Sequence, residues 1–517
     1  MRNRLSKSIG IIFCTFLLLA LIGCQAVGGL DLNKTILKQF EVTHQETSQL
    51  FEIEIDFNDE LFSDMDSHDA SLLKSFQKIT FKIDQMKMDE SGNQLLKGSF
   101  SNLKGSIPFT FQSDKSAIRI DLDGLSRPLV FKWDELNGYE EGSVFSFKNQ
   151  ETIGSAVRKL IQDVAPYFVK GLPNPPVINV SQTNVPINGL PTNVLQTHIE
   201  MNGSQLGDWL STYLENLVND QEGLKATLRK AVEWMLELPP EVMEMMDPEF
   251  DREEEINIDE IVAEGFDELY PELQAAQEEL ASAREDEEWD QIFDEGVTLK
   301  ADVYVDETLF VRKSDVELKF APAILAEEDS PVRGIKVRYQ SESWNVNGAV
   351  EIPQLTIPSF KLTVTDLQQM KAYQFVRLFK EDSMMYDILK NDLKVGRQSV
   401  FLNNFSEWRT PLYKNDKGTL YVPIRTTLSE FGVNLSPSTR AGEVRFYDDG
   451  TYQSVVLNVN SKKVTVNGES IMFTQKVIKH DGVTYAAADD LLGLLHATYT
   501  VSDFSGDYIS LHATRDV

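Results

Sequence analysis

The stretch that decides the fold is a run of alternating apolar and acidic side chains, Phe51-Glu52-Ile53-Glu54-Ile55-Asp56-Phe57. Successive side chains of a β-strand point to opposite faces, so this strand has one apolar face and one charged face. The same period of two recurs at Ile79, Phe81 and Ile83, at Ile118, Ile120 and Leu122, and at Leu129, Phe131 and Trp133. Strict alternation is typical of an antiparallel sheet with one buried face.

Helical periodicity follows this first set of strands. Residues 150–165 place apolar side chains on one face, and Pro166 closes or kinks that helix. A proline-rich connector over 171–191 is predicted to be extended, and a strand over 194–201 comes next. One long helix is then predicted from about residue 203 to 238.

Alternating strands return at 297–305, 316–320 and 335–339. The order of elements therefore predicts the fold class α+β for a domain over 33–375, with a large antiparallel sheet covered by helices on one face. This order resembles that of the half-barrel lipoprotein-carrier proteins. The resemblance implies that acyl chains are held between sheet and helices.

The whole chain has 517 residues and a formal charge of −32, from 49 basic and 81 acidic residues. Such an acidic balance argues against a broad nucleic-acid interface, which needs stripes of Lys and Arg. An acidic helical insertion is predicted at 241–295, where Arg252 and Arg284 are the basic residues. Within it, Phe266, Leu269 and Leu273 step by three and four, which predicts an amphipathic helix. An EF-hand counted from Asp247 fails because its sixth and twelfth places hold Arg252 and Ile258. Weak calcium binding by this segment stays open.

The N-terminus has the pattern of a secretory signal. Basic residues at Arg2, Arg4 and Lys7 precede an apolar run that ends in Leu21-Ile22-Gly23-Cys24. This ending resembles the lipobox of bacterial lipoproteins. The resemblance implies cleavage between Gly23 and Cys24, diacylglycerol on the Cys24 thiol, and an added N-acyl chain. The alternative is an ordinary cleaved signal with a chance cysteine.

This reading assigns residues 1–23 to the signal peptide and 24–32 to the anchor and linker. The protein is then expected on the extracytoplasmic side of the cell membrane, held there by lipid. We find no other segment long enough to span the bilayer.

An internal repeat is predicted at the C-terminus, over 395–517. The run that starts at Gly418 aligns with the run that starts at Gly482, 64 residues later, and each copy is predicted as strand, helix and strand followed by a hairpin. Tight-turn signals stand at Asp448-Asp449-Gly450 and Asn467-Gly468.

The residues of the first copy resemble a known family. Tyr421-Val422-Pro423-Ile424-Arg425, then Leu428 and Phe431-Gly432-Val433, and later Val464-Thr465-Val466-Asn467-Gly468, are similar to motifs of the copper amine oxidase-like N-terminal domain. The second copy departs from the motif at Ala487, Ala488 and Asp489. The resemblance implies a stalk or binding module of surface proteins, without copper or a quinone.

The sequence offers no catalytic constellation. The six histidines, at positions 44, 68, 198, 480, 496 and 512, show no metal-binding spacing, although the last three lie in the repeat block. No nucleophile motif or phosphate loop is present, and so no catalytic residue, metal or cofactor other than the lipid is expected. Trp344 and Trp408 are candidates for stacking on sugar rings.

Three functions remain. The first is a non-enzymatic, lipid-anchored surface protein whose module binds cell-wall polymer or a protein partner. The second is a carrier of lipid or another apolar ligand in the 33–375 domain, and the least favoured is a wall-glycan hydrolase whose carboxylates meet only in space.

Overall fold

The computed structural model describes residues 28–63, 65–133, 135, 150–238, 257–326, 330–405, 410–438, 440–504 and 508–517. The chain forms two compact units, one up to Asp366 and one over Leu367–Val517. The predicted bounds of the domains, of the signal peptide and of the anchor are not decided by this division and stay predictions. None of the helices in the described ranges is long and apolar enough to cross a membrane.

The first unit is built on an eleven-stranded antiparallel sheet, as the sequence predicts. Its order is β6-β5-β4-β3-β2-β1-β11-β10-β9-β8-β7. The strands are β1 Gln45–Phe57, β2 Lys78–Met88, β3 Gln94–Asn102, β4 Gly105–Ser113, β5 Ala117–Leu122, β6 Leu129–Lys132, β7 Val177–Ile187, β8 Leu190–Asn202, β9 Val297–Val305, β10 Val311–Phe320 and β11 Val332–Trp344.

Two hairpin meanders meet at one strand pair. β1 to β6 follow one another along one half of the sheet, and β7 to β11 form the other half. β1 joins the halves because it pairs with β2 on one side and with β11 on the other, so that Phe51 lies between Phe81 and Tyr339. The run quoted above therefore occupies the centre of the sheet.

Most helices of the first unit pack against one half of the sheet. The helices are α1 Leu32–Gln39, α2 Ser67–Ser75, α3 Gln150–Gly171, α4 Gly203–Asn219, α5 Gln221–Glu237, α6 Ile258–Arg284 and α7 Glu287–Ile292, with a 3-10 turn at Asp59–Phe62 and another at Ala323–Ala326. The exception is α2, in the link between β1 and β2, where Ser75 O accepts from Leu103 N at 3.1 Å at the end of β3. Buried side chains of α1, α3, α4 and α5 form one core with β8, β9 and β10, which includes Ile199, Leu206, Tyr213 and Leu299. The sheet face that carries this core also carries Phe51, through the register of β1, β11, β10 and β9.

Three local predictions need correction. The helix expected over 203–238 is two helices, because the backbone leaves the helical region at Asp220, whose carboxylate accepts from Gly223 N and caps α5. The connector at 171–191 contains β7, and Pro186 is tolerated there because β7 is an edge strand. The predicted helix at 150–165 continues to Gly171 through Pro166.

The amphipathic helix expected within the acidic insertion is present as α6, but its buried face is rotated. Val262 is buried and Phe266 and Leu273 pack on the core, whereas Leu269, predicted on the same stripe, is 41% exposed. The insertion's residues 241–256, and with them the calcium hypothesis, lie outside the described residues.

The opposite face of the sheet is charged and internally paired. Lys78 bridges Glu52 and Glu54 at 2.9 Å each, and Lys336 lies 3.0 Å from Glu317. Further cross-strand pairs are Arg338–Asp315, Lys313–Glu342 and Lys300–Glu200. Exposed pairs of this kind stabilise a fold by about 0–1 kcal/mol each, so they fix which face meets water more than they hold the sheet together.

The second unit contains three smaller antiparallel sheets and short helices. The sheets have the orders β12-β23-β22, β13-β14-β21-β20 and β15-β16-β17-β18-β19. The strands are β12 Arg397–Asn403, β13 Tyr413–Lys414, β14 Leu420–Pro423, β15 Leu435–Ser436, β16 Glu443–Asp448, β17 Gln453–Asn458, β18 Lys463–Val466, β19 Glu469–Met472, β20 Ile478–His480, β21 Val483–Ala487, β22 Thr498–Asp503 and β23 Ile509–Asp516.

The helices of this part of the chain are short. They are α8 Val364–Gln369, within which the two units divide, α9 Ala372–Val376, α10 Met384–Asp387, α11 Ile424–Glu430 and α12 Ala488–Leu494, with a π-helical turn at Ile388–Asp392. The apolar residues predicted for α11 and α12 are buried in one core, among them Leu428, Phe431, Leu492 and Leu495. Asn467 and Gly468 both have positive φ, which a two-residue hairpin turn between β18 and β19 requires.

A buried arginine connects the ends of α11 and α12. The Arg515 guanidinium donates to both carboxylate oxygens of Asp448, at 2.5 and 3.1 Å, and neither side chain is more than 1% exposed. It also donates to the carbonyls of Phe431 and Leu495, each at 3.4 Å, which are the C-cap residues of the two helices. One cation thus satisfies carbonyl groups that neither helix can satisfy internally.

Side chains at the start of α9 also donate hydrogen bonds to the turn after Asp448. The Asp449 carboxylate accepts from Tyr373 Oη at 2.5 Å, Gln374 Nε2 at 2.7 Å and Lys371 Nζ at 3.2 Å. Burial raises the pKa of Asp449, but the hydrogen bonds from Tyr373 and Lys371 outweigh it and leave the pKa below its usual value. The segment that carries α9 is therefore fastened to the β16–β17 turn.

We predict that Arg515→Met destabilises the second unit by about 3–5 kcal/mol, because it leaves the Asp448 carboxylate buried without a cation. The measurement is hydrogen exchange of the full chain, read on peptides that cover α11 and α12. Lys414→Met is the matched control, since Lys414 and Asp503 are both 45% exposed and 4.0 Å apart. Equal loss of protection in the two variants would contradict the assignment.

Candidate apolar ligand-binding face

The half of the large sheet formed by β1 to β6 carries a continuous apolar face. The register aligns Phe51 with Phe81, Phe81 with Phe100 and Phe100 with Ile107 across four strands. The next rungs continue it to β6 through Phe109, Leu122, Phe111, Ile120, Leu129, Ile118 and Phe131. We call this surface the open face: the apolar side chains of β1–β6 on the side of the sheet that bears Phe51.

The helices of the packed core do not extend over the open face. The core beneath them reaches Val337 and Tyr339 on β11, and among the described residues it includes no side chain of β1–β6. Phe51, Phe100, Phe109 and Phe111 are half-buried and Phe81 is 39% exposed, whereas Ile83 and Ile107 on the same face are buried. The expectation of helices over one sheet face is therefore met for β8–β10 and not for β1–β6.

The composition of the open face is that of an apolar ligand site. Phe81 and Phe109 stack at 5.6 Å between ring centroids with an interplanar angle of 15°. In strands β1–β6 the charged residues lie on the other face, and the polar residues of the open face lie near the strand ends, such as Gln94 and Ser113. Large contiguous apolar patches on the surfaces of monomeric proteins mark interaction or ligand-binding sites.

The other side of β2–β6 is covered by the chain itself. A crossing segment, residues 351–362, accepts hydrogen bonds from Lys87, Gln112 and Arg119 through its carbonyls. It ends in a bridge between Leu362 and Leu129, and Leu95, Ala117, Val130 and Leu362 are buried on this side. The chain thus covers part of this side of the half-sheet, although Lys82 and Asp84 on β2 stay exposed.

Local backbone features shape the open face. Register shifts occur between Thr47 and Gln49 in β1 and between Ile83 and Gln85 in β2, and β-bulges of this kind bend and twist strands. Gly98 stands opposite Ile83, where an added Cβ would lie 2.2 Å from the Lys82 carbonyl oxygen. Any side chain at position 98 would therefore force β2 and β3 apart at the middle of the open face.

Helix α3 adds apolar surface in the same unit. Val157, Ile161 and Phe168 are 36–40% exposed, although the sequence predicts Val157 and Ile161 on the buried stripe. An apolar groove of about 270 Å³ lies among α3, α5 and α6, lined by Leu160, Leu228, Ala231, Val232, Trp234, Met235, Ile261 and Gly265. The helical layer, like the sheet, leaves apolar groups unburied.

The residues singled out from sequence are dispersed or lie outside the described ranges. Gly23, Cys24 and Trp408 lie outside them, and Trp344 is half-buried on β11. His480 stacks on Tyr413 at 4.2 Å, whereas His496 lies 3.4 Å from Gln453, so the repeat-block histidines keep separate partners. Among the described residues no group of three or more His, Cys, Asp or Glu is placed to hold a metal ion. The expected absence of metal, cofactor and catalytic residues stays a prediction.

The second unit exposes an aromatic patch. Phe405 lies 6.4 Å from Phe504 and 6.0 Å from Tyr508 between ring centroids, and the three side chains are 45%, 66% and 54% exposed. They stand just beyond the ends of β12 and β22 and just before β23. Sequence reasoning missed this patch because Phe405 is distant in sequence from Phe504 and Tyr508 and meets them only in the folded sheet.

The C-terminal unit contains a known domain. Residues 403–501 match the copper amine oxidase N-terminal domain. The match confirms the family prediction for this part of the chain, and no curated protein and no solved structure matches the chain. Within the matched copper amine oxidase N-terminal domain, β14 and α11 are followed by β21 and α12 in the same order, while the internal repeat itself stays a prediction.

We predict that polar substitution on the open face costs little stability. Phe81→Thr should lower the free energy of unfolding by less than about 1.5 kcal/mol, because the ring is already in contact with water. Leu299→Ala, in the packed half, should cost about 2–5 kcal/mol. Thermal unfolding of the full chain compares the two, and a larger loss for Phe81→Thr would mean that the open face is part of the packed core.

Proposed function

We propose that this protein is a non-enzymatic, lipid-anchored protein of the extracytoplasmic membrane face whose first unit binds an apolar ligand on the open face. One observation supports it most: the eleven-stranded sheet presents an apolar face on six strands that the described helices do not cover. A stable sheet normally buries such a face. A bound apolar molecule would supply the missing contacts, at about 25 cal/mol per Å² of apolar surface removed from water.

The carrier function is favoured over wall binding by the position of the unburied surface. The open face belongs to the large unit and consists of aliphatic and phenyl groups, which suit acyl chains better than hydroxylated sugar rings. Binding to cell-wall polymer or to a protein partner by the second unit remains the alternative function. The aromatic patch of Phe405, Phe504 and Tyr508 favours it, because exposed rings of this kind can stack on a partner.

The ligand proposal is tested with a fluorescent fatty-acyl probe. The protein is the full chain with Cys24→Ser, so that no acyl group of its own competes for the face. Phe109→Glu places a carboxylate in the centre of the open face and should weaken probe binding by at least about tenfold, since burying an unpaired charge is costly.

Leu190→Glu is the matched control, because Leu190 is 69% exposed at the start of β8 and is not part of the open face. Its probe affinity should stay within about twofold of the parent. Absence of probe binding in the parent, or equal weakening in both variants, would refute a ligand site on this face.

The anchor is tested separately. Cys24→Ala removes the thiol that the lipobox resemblance assigns to diacylglycerol, and we expect the protein to leave the membrane fraction or to stall before signal cleavage. Fractionation after a carbonate wash gives the readout, with the wild-type chain as the reference. Equal membrane retention of both proteins would argue against lipidation at Cys24, whatever the outcome of the probe experiment.

A further inference from the structure

The open face ends in polar turns at one margin of the sheet. The turn between β2 and β3 and the turn between β4 and β5 enclose a depression of about 380 Å³, lined by Ser91, Asn93, Asp114, Lys115 and Ser116. These turns follow directly on Met88 and Ser113, the last residues of β2 and β4. Apolar strands thus lead into a shallow polar site on the same hairpins.

The carboxylates of Asp89 and Asp114 accept hydrogen bonds from backbone amides of their own turns. Asp89 accepts from the amides of Ser91 and Asn93 and from Asn93 Nδ2. Asp114 accepts from the amides of Ser116 and Ala117 and from Ser116 Oγ. Each turn therefore places an aspartate carboxylate at the margin of the sheet.

Charge at this margin is unfavourable for anions. Besides Asp89 and Asp114 it carries Glu90, and Glu135 lies 3.2 Å from Lys132 and offsets that ammonium group. Lys115 lines the depression as a cation, so the three carboxylates of the two turns leave them with a net negative charge. The opposite end of the strands is acidic as well, with Asp59, Glu60, Asp66, Asp69 and Asp123 against Lys74, Lys104 and Arg127. The whole chain has a formal charge of −32. An anionic headgroup would be repelled at either end.

We propose that the ligand of the open face is an amphiphile with an uncharged, hydroxyl-bearing headgroup, of the diacylglycerol or glycosylated diacylglycerol class. This inference rests on the proposed function. The acyl chains lie along the aromatic rungs of β1–β6, and the headgroup hydroxyls exchange hydrogen bonds with Ser91, Asn93 and Ser116. Fatty acids and phosphatidylglycerol, which carry a negative charge, are disfavoured by the carboxylates of the margin.

The test is displacement of the fluorescent acyl probe from the Cys24→Ser chain by lipids with matched oleoyl chains. Dioleoylglycerol and its glucosylated form should displace the probe at concentrations at least about tenfold lower than those needed for dioleoyl phosphatidylglycerol or oleate. Added salt should reduce this ratio of concentrations, because it screens the charge repulsion. Equal displacement by all four lipids would overturn the headgroup assignment while leaving the apolar site in place.

A charge-reversal variant makes the result specific to this margin. Glu90→Lys replaces an 82% exposed carboxylate next to Asp89 with a cation, at a residue that does not line the depression. It should improve phosphatidylglycerol displacement by about tenfold with little change for dioleoylglycerol. Leu190→Lys is the control and should change neither. No change in selectivity for Glu90→Lys would place the headgroup elsewhere and overturn the proposal.

The same experiments separate failure of this inference from failure of the proposed function. Loss of the probe signal for every protein would refute the ligand site itself. Light scattering at rising protein concentration shows whether the chain forms a dimer. A dimer that no longer binds the probe would assign the open face to a second copy of the chain and would overturn the amphiphile proposal.

Discussion

The pairing of β1 with β11 is the contact on which the first unit depends. It joins residues 45–57 to residues 332–344 in one antiparallel ladder and merges two meanders into a single sheet. Every helix of the unit except α1 is inserted in the chain between these two strands, so the ladder closes the unit around them. Closing so long a loop is entropically costly, and the apolar rung of Phe51, Tyr339 and Phe81 helps to offset that cost.

The same ladder explains why the two halves of the sheet differ. On the β8–β10 side, helices follow the strands in sequence and fold back onto the apolar face, which removes that face from water. On the β1–β6 side, residues 58–77 with helix α2 link β1 to β2, and short turns link β2 to β5. The crossing segment 351–362 lies over part of the charged side. An apolar face without a helical cover is costly to maintain, and a function that uses the surface accounts for it better than packing does.

The helices of the second unit are too short to be stable alone and depend on contacts at their ends. Arg515 satisfies carbonyls at the ends of both α11 and α12 while its charge is neutralised by Asp448. A buried ion pair is weak evidence of net stability. The Arg515–Asp448 pair instead fixes the positions of the two helix ends relative to the β16–β17 hairpin. The fastening of Asp449 by Tyr373, Gln374 and Lys371 extends the same turn to the segment that precedes the module.

Sequence alone predicted β1, β2, β5, β6 and β8–β11 with their faces, and the C-terminal family, because alternation with period two and short turn motifs are local properties. It also placed α6 and both module helices, although the turn at Asp220 and the rotated face of α6 depended on capping and on which neighbours the helix met. The uncovered half of the sheet, the aromatic patch and the Arg515 contacts were decided only by tertiary structure. The alternation of β1–β6 predicts that one face is apolar. Whether a helix, a ligand or water contacts that face depends on the path of the chain between the strands, and no local sequence pattern encodes that path.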